Sequence, residues 1–312
     1  MVIIGVKKER ELSIIGFGNQ AKSWSLNLRD SGYNVFIGLR KNSSSQAAAN
    51  SLGFKTFCFE QDEIPTDAFA LLIPDDQHEQ ALKILTAVNH SKKAGLYAHG
   101  FSLDQNHLAD KYPHWDHVLL APKSIASELR FLYETKGSLG GFYSLDAANN
   151  FTLSQLTELA TAIGLTNIYP ASAKEETQAD LFSEQTILCS LLPYGILEVY
   201  NTLIKRGYSN ELAFYECFYE SKLIIDTMLK RGPKDFFNLI SPNALIGSEI
   251  GKDLFINQDF KDKLNHLLDK IENNQFQESI QDVDIDKLRT NISNFWQDQS
   301  LHNTYEKLRD TL

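Results

Sequence analysis

The chain is poor in cysteine and carries no excess of basic residues. Its three cysteines, Cys58, Cys189 and Cys217, form neither a CxxC pair nor an even-numbered framework. Isolated thiols of this kind exclude a small disulfide scaffold and are typical of a reduced, cytoplasmic protein. The formal net charge of −10 argues against nucleic acid or an anionic membrane as the main partner.

Long hydrophobic runs and zinc motifs are also missing. No run approaches the roughly 18 apolar residues of a membrane helix, and the beginning of the chain contains no signal-peptide core. The sequence has no HExxH motif and no Cys/His ligand set, so a zinc site is not expected. We therefore expect a cytoplasmic protein without a membrane partner.

The 312 residues that are present suffice for about two domains. Up to about residue 170, short apolar runs alternate with helical patterns, which predicts a Rossmann-type, doubly wound parallel α/β domain over residues 1–172. From about residue 174 long helical patterns dominate, which predicts an all-α domain over 173–312, with Cys189 and Cys217 in its core. The strand candidates are 12–15, 35–37, 69–73, 95–98, 118–120 and 139–145.

A glycine motif follows the first strand candidate. Gly16-Phe17-Gly18-Asn19-Gln20-Ala21 fits the pattern G-x-G-x-x-A between a strand and a helix. In such a turn the first glycine permits a tight bend, and the second lets the backbone approach a pyrophosphate at the helix N-terminus. The pattern alone is weak, but its position between strand and helix predicts a dinucleotide site.

The residues after the second strand candidate indicate which dinucleotide binds. NAD-binding proteins usually place an acid there to hold the ribose 2′-hydroxyl. Here the stretch from Gly38 to Ser45 contains cations and hydroxyls and no acid. That composition favours a 2′-phosphate and hence NADPH over NADH. The alternative is a serine-rich surface loop without a role in binding.

Two predicted helices within 174–226 each carry a pair of acids four residues apart. The pairs are Asp180 with Glu184, and Glu216 with Glu220. Side chains at this spacing lie about 5–6 Å apart on one helix face. Both faces continue into apolar residues, so we expect these carboxylates in buried surroundings, where unpaired charge is costly.

Two kinds of partner could neutralise the acids. Each pair could meet lysine or arginine from another helix, or the four carboxylates could hold two Mg²⁺ ions about 3.5–4 Å apart. A metal beside a nicotinamide would polarise a carbonyl group to which the nicotinamide delivers hydride. The residues alone leave both alternatives open.

Taken together, the motifs resemble those of ketol-acid reductoisomerase in its short, class I form. The similarity covers almost the whole chain, although the region after about residue 250 agrees only in helical character. The acidic helices are its most specific part. The matching segments are, in order, GFGNQAKSWSLNLRDSG, IGLRKNSSS, LLIPDD, AHGF, LLAPK, KEETQADLFSEQTILC, GYSNELAFYECFYESKLIID and LISPNA.

The resemblance implies an enzyme of valine and isoleucine biosynthesis. Its substrate would be a small 2-hydroxy-3-keto acid, either 2-acetolactate or 2-aceto-2-hydroxybutyrate. Mg²⁺-dependent alkyl migration and reduction by NADPH would yield 2,3-dihydroxy-3-methyl acids. The resemblance also implies a knotted helical domain and a homodimer or higher oligomer whose active sites are shared between subunits.

The resemblance assigns roles to individual residues. Metal ligands would be Asp180 and Glu184 of one chain with Glu216 and Glu220 of its partner, and Ser241 would touch the substrate carboxylate. The catalytic residues would be His99, Lys123 and Glu184, the last as a proton relay. The cofactor positions would be Gly16, Phe17, Gly18, Asn19, Gln20, Arg40, Ser43, Ser45, Asp75, Asp76, Gln77 and His78.

Several positions depart from the family pattern. Ser124-Ile125-Ala126 stands where Gly-Pro-Gly is usual, residues 135–138 replace a glycine-bearing stretch, Lys22 replaces a histidine, and Leu245-Ile246 replaces Glu-Tyr. We interpret these changes as divergence within the family. Two other hypotheses remain: a metal-independent NADP-dependent hydroxyacid dehydrogenase or imine-reductase-like enzyme, which leaves the four acids unexplained, and a non-catalytic NADP-binding homologue.

Overall fold

The structure, a computed structural model, describes residues 10–280 and 283–312. The chain divides into two compact units, one ending at Thr177 and the other beginning at Gln178. The domain boundary predicted after residue 172 stays a prediction. We call the two parts the sheet unit and the helical unit and describe each by itself.

The sheet unit contains one eight-stranded sheet. Its strands are β1 (Glu11–Ile15), β2 (Asn34–Leu39), β3 (Lys55–Cys58), β4 (Ala68–Leu71), β5 (Ala94–Tyr97), β6 (Asp116–Pro122), β7 (Gly140–Leu145) and β8 (Asn167–Pro170). Their order in the sheet is β3-β2-β1-β4-β5-β6-β7-β8. All neighbours pair in parallel except β6 and β7, which are antiparallel. The predicted α/β class is confirmed.

Helices connect the strands of the sheet unit. They are α1 (Asn19–Asp30), α2 (Ser45–Ser51), α3 (His78–Val88), α4 (Phe101–Asp104), α5 (Leu108–Lys111), α6 (Ala126–Thr135) and α7 (Leu153–Ile163), with a 3₁₀ turn at Asp75–Gln77. Two apolar clusters fill the sheet unit. In β1, for example, Ile14 belongs to one cluster and Ile15 to the other, because neighbouring strand residues point to opposite faces.

The sequence missed the two strands at the ends of the sheet. Each has four residues, and β8 carries no buried side chain. An edge strand covers little of the core, so its residues show neither a continuous apolar run nor a clear alternation. The six strands that were predicted are all found, with bounds that shift by one or two residues.

The strand order locates the site. On one side of β1 the chain adds β2 and then β3, and on the other side it adds β4 to β8 in order. The order therefore reverses between β1 and β4. In open α/β sheets ligands bind at the carboxyl ends of the strands beside such a reversal.

The helical unit is built around two long helices. The first runs from Ala173 to Lys205 as α8 (Ala173–Ser183), a π-helical segment (Glu184–Leu191) and α9 (Leu192–Lys205), and it begins inside the sheet unit. The second runs as α10 (Asn210–Phe214), a π-helical segment (Tyr215–Tyr219) and α11 (Glu220–Arg231). Ser209 caps the second helix, since its side chain accepts the amide of Leu212.

Shorter helices complete this unit, and within residues 178–280 and 283–312 every regular element is helical. The class predicted for this part of the chain is thereby confirmed, whereas a knotted path stays a prediction. The helices are α12 (Pro233–Leu239), α13 (Pro242–Phe255), α14 (Gln258–Glu272), α15 (Gln275–Ile280), α16 (Ile285–Gln297) and α17 (Ser300–Leu308), followed by a 3₁₀ turn at Arg309–Thr311.

The core of the helical unit is small. Tyr200 is fully buried in it and shares a hydrogen bond of 3.0 Å with the Thr304 hydroxyl. By contrast, α11 and α13 contain no buried residue at all. The expectation that the acidic helix faces are buried is wrong for the single chain, because Ile187 and Leu188, which continue the first face, are about half exposed.

The expected position of Cys189 in the core is also wrong, since this residue is exposed. The reason is the same in both cases: helical periodicity identifies an apolar face without saying whether the same chain covers it. Cys217 is partly buried and packs against the small core.

One described helix has the length and composition of a membrane span. It is the 33-residue helix Ala173–Lys205, in which 11% of the most apolar 18-residue window is buried. It was not expected from the sequence, because charged and polar residues interrupt its apolar runs. A single helix of this kind is weak evidence for a membrane.

Candidate active site

The glycine turn after β1 has the geometry that a pyrophosphate requires. Gly16 has φ +101°, and a Cβ there would lie 2.7 Å from the carbonyl oxygen of Leu72, so other residues are excluded. A Cβ at Gly18 would meet nothing within 4 Å. The twelve-residue helix α1 starts directly behind it, without a capping side chain or an acid in its first turn. The first amides of a helix have no partner within the helix, so this helix N-terminus suits an anion.

A cavity of about 370 Å³ lies beside this turn. Its lining includes six of the predicted cofactor positions, and it also includes the apolar residues Phe59, Ile73 and Ile84, which suit a flat base. The residues that line it therefore fit an adenine dinucleotide with a 2′-phosphate. The six predicted positions are Gly16, Phe17, Arg40, Ser43, Ser45 and Gln77.

The loop between β2 and α2 forms one wall of the cavity. The Ser43 amide donates to the Arg40 carbonyl at 3.1 Å, and the Ser45 amide donates to the Ser43 hydroxyl at 3.3 Å. The Lys41 amide donates to a carboxylate oxygen of Glu60 at 2.8 Å. Glu60 also lines the cavity. Glu60 does not belong to the stretch from Gly38 to Ser45 that favoured NADPH, because it follows the far end of β3.

The predicted cofactor residues 75–78 form the opposite wall only in part. Gln77 lines the cavity, whereas His78 is buried behind it. Its Nε2 lies 2.9 Å from the Ile73 carbonyl and its Nδ1 lies 2.8 Å from the Ser102 hydroxyl. Burial lowers the pKa of His78 against the opposing charge of Asp75. In the neutral ring Nε2 donates to Ile73 and Nδ1 accepts from Ser102, so this side chain supports the turn.

A second cluster joins the segments that follow β5 and β6. Lys123 Nζ lies 2.5 Å from Glu176 Oε1, and the Gly100 amide donates to Glu176 Oε2 at 2.7 Å. The Glu176 side chain is fully buried and that of Lys123 is 32% exposed. A buried carboxylate is costly unless it is paired. Here one oxygen has a cation and the other a backbone donor, so the burial is compensated.

Gly100 is required by the packing of this cluster. A Cβ at this position would lie 2.5 Å from the Ala173 carbonyl oxygen and 2.8 Å from Glu176 Oε2. The neighbouring His99 accepts the Phe101 amide at Nδ1, at 3.2 Å. That bond leaves the proton of the neutral ring on Nε2. The structure thus brings the predicted residues His99 and Lys123 to segments that meet around Glu176.

Glu176 itself was missed by the sequence analysis. It lies four residues before Asp180 on α8, so Glu176, Asp180 and Glu184 repeat at the same interval. A search for acid pairs that also extended toward the N-terminus would have found it. Its pairing with Lys123 has no sequence signal, because the two residues are 53 positions apart.

The remaining predicted metal ligands lie where the long helices change from α to π geometry. Glu184 is the first residue of one π-helical segment, Glu216 lies within the other, and Glu220 follows it. π-Helical turns are rare and frequently occur at functional sites. Glu184, Glu216 and Glu220 are exposed and Asp180 is half-buried.

Two further side chains of the helical unit, Cys189 and Ser241, have notable surroundings. Cys189 is exposed, but neighbouring protein atoms displace part of its water and raise the pKa of its thiol, and the charges of Glu184 and Asp180 raise it further. The predicted substrate residue Ser241 caps α13, since its hydroxyl accepts the Ala244 amide at 3.2 Å. It is exposed. Within the helical unit Asp180 and Glu184 lie on the first long helix, and Glu216 and Glu220 lie on the second.

Comparisons with known proteins support one family. Residues 6–168 match the acetohydroxy acid isomeroreductase NADPH-binding domain, and residues 173–312 match the ketol-acid reductoisomerase C-terminal domain. A ketol-acid reductoisomerase (NADP(+)) of Campylobacter hominis is 33% identical over 97% of this chain and 90% of its own length. One from Methanococcus maripaludis strain C5 is 32% identical over 86% and 82%.

Solved structures share the fold. An NADH-preferring ketol-acid reductoisomerase from an uncultured archean has a TM-score of 0.84 and 23% identity, over 97% of this chain and 95% of its own. An NAD-binding semialdehyde dehydrogenase protein from Cupriavidus necator has a TM-score of 0.63 and 15% identity, over 85% and 99%. At these identities the likeness concerns the fold alone. The two family models and the sequence relatives mean that this chain belongs to the ketol-acid reductoisomerase family.

Proposed function

We propose that this chain converts 2-acetolactate or 2-aceto-2-hydroxybutyrate into 2,3-dihydroxy-3-methyl acids as an NADPH- and Mg²⁺-dependent ketol-acid reductoisomerase. The observation that carries the proposal is the Lys123–Glu176–Gly100 cluster after β5 and β6, in the unit that also holds the dinucleotide cavity. Asp180 follows Glu176 on the same helix. Family membership supports the reaction type and a small keto acid as substrate.

NADPH would bind the sheet unit. The amides at the start of α1 would hold its pyrophosphate, and Arg40, Ser43 and Ser45 would hold its 2′-phosphate. Phe59 and Ile84 offer apolar surface to the base. When bound, the cofactor supplies the hydride that reduces the ketone.

The metal site would consist of carboxylates. Asp180 and Glu184, with Glu216 and Glu220 of a second chain, would hold two Mg²⁺ ions. All four offer oxygen, the donor that Mg²⁺ prefers. When bound, the ions polarise the carbonyl and hydroxyl oxygens of the substrate.

The other polar residues position the substrate and move protons. Lys123 pairs with the Glu176 carboxylate at 2.5 Å, and this pair would hold both side chains in place beside the substrate. His99, with its ring proton on Nε2, can donate a hydrogen bond to a substrate oxygen. Ser241 would donate to the substrate carboxylate, and the Glu184 carboxylate would relay a proton.

The helical unit supports an oligomer. Leu229 in α11 is 82% exposed and Leu254 in α13 is 64% exposed. Neither helix contains a buried residue. Exposed apolar side chains that recur along both helices support an interface with another chain. We therefore propose a homodimer or higher oligomer with shared active sites, acting in the cytoplasm without a nucleic-acid or membrane partner.

The departures from the family pattern concern the loop after β6. Ile125 is 70% exposed there and directly precedes α6, and the Ala126 carbonyl accepts the Ser23 hydroxyl at 2.7 Å. That bond ties the loop to α1. A loop without the two glycines approaches the cofactor less closely, which supports a divergent member with its own substrate preference.

The test is NADPH consumption with 2-acetolactate, measured with and without Mg²⁺. We expect turnover that requires the ion. Absence of turnover by folded protein under all conditions would refute the proposal, and turnover independent of Mg²⁺ would favour the metal-free hydroxyacid dehydrogenase or imine-reductase-like enzyme.

A variant sharpens the metal assignment. Asp180→Asn removes one proposed ligand charge and should abolish Mg²⁺-dependent turnover, while NADPH binding in the sheet unit is unchanged. Glu198→Gln, an exposed acid on α9 of the same long helix, is the matched control and should keep full activity. Full activity of Asp180→Asn would show that the metal assignment is wrong.

A further inference from the structure

An acid lies in the wall of the cavity that NADPH would occupy. Glu60 lines it together with Arg40, Ser43 and Ser45, the residues that would hold a 2′-phosphate. Glu60 is half-buried, so its charge is incompletely screened by water. A carboxylate disfavours a phosphate dianion nearby and is compatible with a ribose hydroxyl.

The turn after β3 puts Glu60 in this position. Two hydrogen bonds between Asp62 and Cys58 close the turn. The Asp62 amide donates to the Cys58 carbonyl at 2.8 Å, and the Asp62 carboxylate accepts the Cys58 amide at 2.9 Å. The buried ring of Phe59 anchors the turn. Glu60 therefore projects from a turn whose backbone these two hydrogen bonds close.

Glu60 also restrains the loop that would bind the phosphate. Its carboxylate accepts the Lys41 amide at 2.8 Å, directly beside Arg40. The next residue, Asn42, has φ +59°, a left-handed conformation that a short polar residue tolerates. The bond to Glu60 thus restrains the loop next to its left-handed residue.

We propose that Glu60 sets the ratio of NADPH to NADH affinity in this chain, by tethering the loop after β2 through Lys41 and by placing a negative charge beside the 2′-phosphate position. The inference rests on the proposed function. It makes Glu60 a positioning and selectivity residue that contributes loop order and lowers the discrimination between the two cofactors.

The experiment separates the charge from the tether. Glu60→Gln keeps an oxygen that can accept the Lys41 amide and removes the charge, whereas Glu60→Ala removes both. Binding of NADPH and of NADH is measured by isothermal titration calorimetry on the full chain without substrate or Mg²⁺. Glu63→Gln removes one charge from an exposed residue of the same segment and is the matched control.

For Glu60→Gln we expect NADPH to bind roughly threefold to tenfold more tightly, as for one charge a few ångströms away in a partly solvated site. NADH affinity should stay within about twofold, since it lacks the phosphate. The gain should shrink at about 1 M salt, where charges are screened beyond about 3 Å. Glu60→Ala should bind NADPH less tightly than Glu60→Gln because its loop is free.

Two results would overturn the inference. One is an unchanged NADPH to NADH ratio in a folded Glu60→Gln variant, and the other is an equal change in Glu63→Gln. If the wild-type chain binds neither dinucleotide, the proposed function fails and the inference fails with it. Normal binding by the wild type with an unmoved ratio removes the inference alone.

Discussion

The sheet unit and the helical unit differ in how completely one chain covers their functional residues. In the sheet unit two buried polar residues of the candidate site have their partners within the unit: Glu176 is buried against Lys123 and Gly100, and His78 is bonded at both ring nitrogens. In the helical unit the acids Glu184, Glu216 and Glu220 are exposed, beside apolar side chains that are exposed as well.

The difference indicates that one chain can form the cofactor site by itself, and we expect the acidic site to need a second chain. A cofactor site can form in one chain, because the sheet unit supplies both its walls and its support. An acidic surface surrounded by uncovered apolar residues is what we expect of a site that a second chain completes. Proteins rarely leave large apolar patches open to water, so the comparison predicts that a second chain completes the helical unit.

The largest effect is expected from separating the subunits. Leu229→Asp combined with Leu254→Asp places two charges on the exposed apolar surface of α11 and α13 and should give a monomer without reductoisomerase activity. Both side chains are exposed in the single chain, so its fold should persist. Analytical ultracentrifugation and the NADPH assay measure the two effects.

Leu153→Asp is the control for this experiment, because Leu153 is 49% exposed on α7 of the sheet unit. It should leave assembly and activity unchanged. A doubly substituted chain that is monomeric and fully active would break the comparison, since the helical unit would then be complete without a partner.

The next effect concerns the buried pair of the sheet unit. Lys123→Met leaves the Glu176 carboxylate without its cation and should lower the free energy of unfolding by about 2–3 kcal/mol, less than for a fully buried pair because Lys123 is partly exposed. Turnover should fall by about a hundredfold or more. Urea denaturation and steady-state kinetics measure the two effects.

Lys83→Met on α3 is the matched control, since Lys83 is exposed, and it should change neither quantity. In the double variant with Glu176→Gln, the loss of stability should be smaller than the sum of the two single losses. Additive losses would mean that the pair does not couple.

A third prediction concerns Gly100, which follows β5 and packs against Ala173 and Glu176. Gly100→Ala forces a Cβ toward the Ala173 carbonyl and Glu176 and should lower the free energy of unfolding by about 2 kcal/mol. Gly251→Ala, in α13 with open space around it, should raise stability by about 0.5–1 kcal/mol. Thermal denaturation distinguishes the two signs, and a neutral Gly100→Ala would contradict the tight packing.

The smallest effect is a pH dependence of stability. Burial lowers the pKa values of His78 and His117 below the ordinary value of 6.5. The unfolded chain therefore binds more protons than the folded chain below about pH 6.5, so stability is full above that pH and falls as the solution is acidified. Denaturation between pH 5 and 7 should show a shallower slope for His78→Gln than for wild type.

The exposed His90 provides the control, and His90→Gln should leave the slope of the wild type unchanged. An identical slope for His78→Gln and wild type would mean that His78 does not lose its proton on folding. The effect belongs to the sheet unit, since both His78 and His117 lie there.

Much of the fold and part of the site could be predicted from the sequence. The six inner strands, the glycine turn and the acid spacing depend on residues near one another in the chain, where periodicity and turn chemistry act. The edge strands β3 and β8 were missed because they bury little. The burial of the acidic faces and of Cys189 was predicted wrongly because an apolar helix face does not name its partner.

The sequence by itself determined the α/β class of the first part, the helical class of the second, the dinucleotide turn at Gly16 and the two acid pairs, which are all local properties. Only the tertiary structure decided that Lys123 pairs with Glu176 from 53 residues away, that Gly100 meets it from 76 away, and that Glu60 reaches Lys41 across 19. These contacts depend on which strands become neighbours in the sheet, and the hydrophobic effect that drives their packing is non-directional.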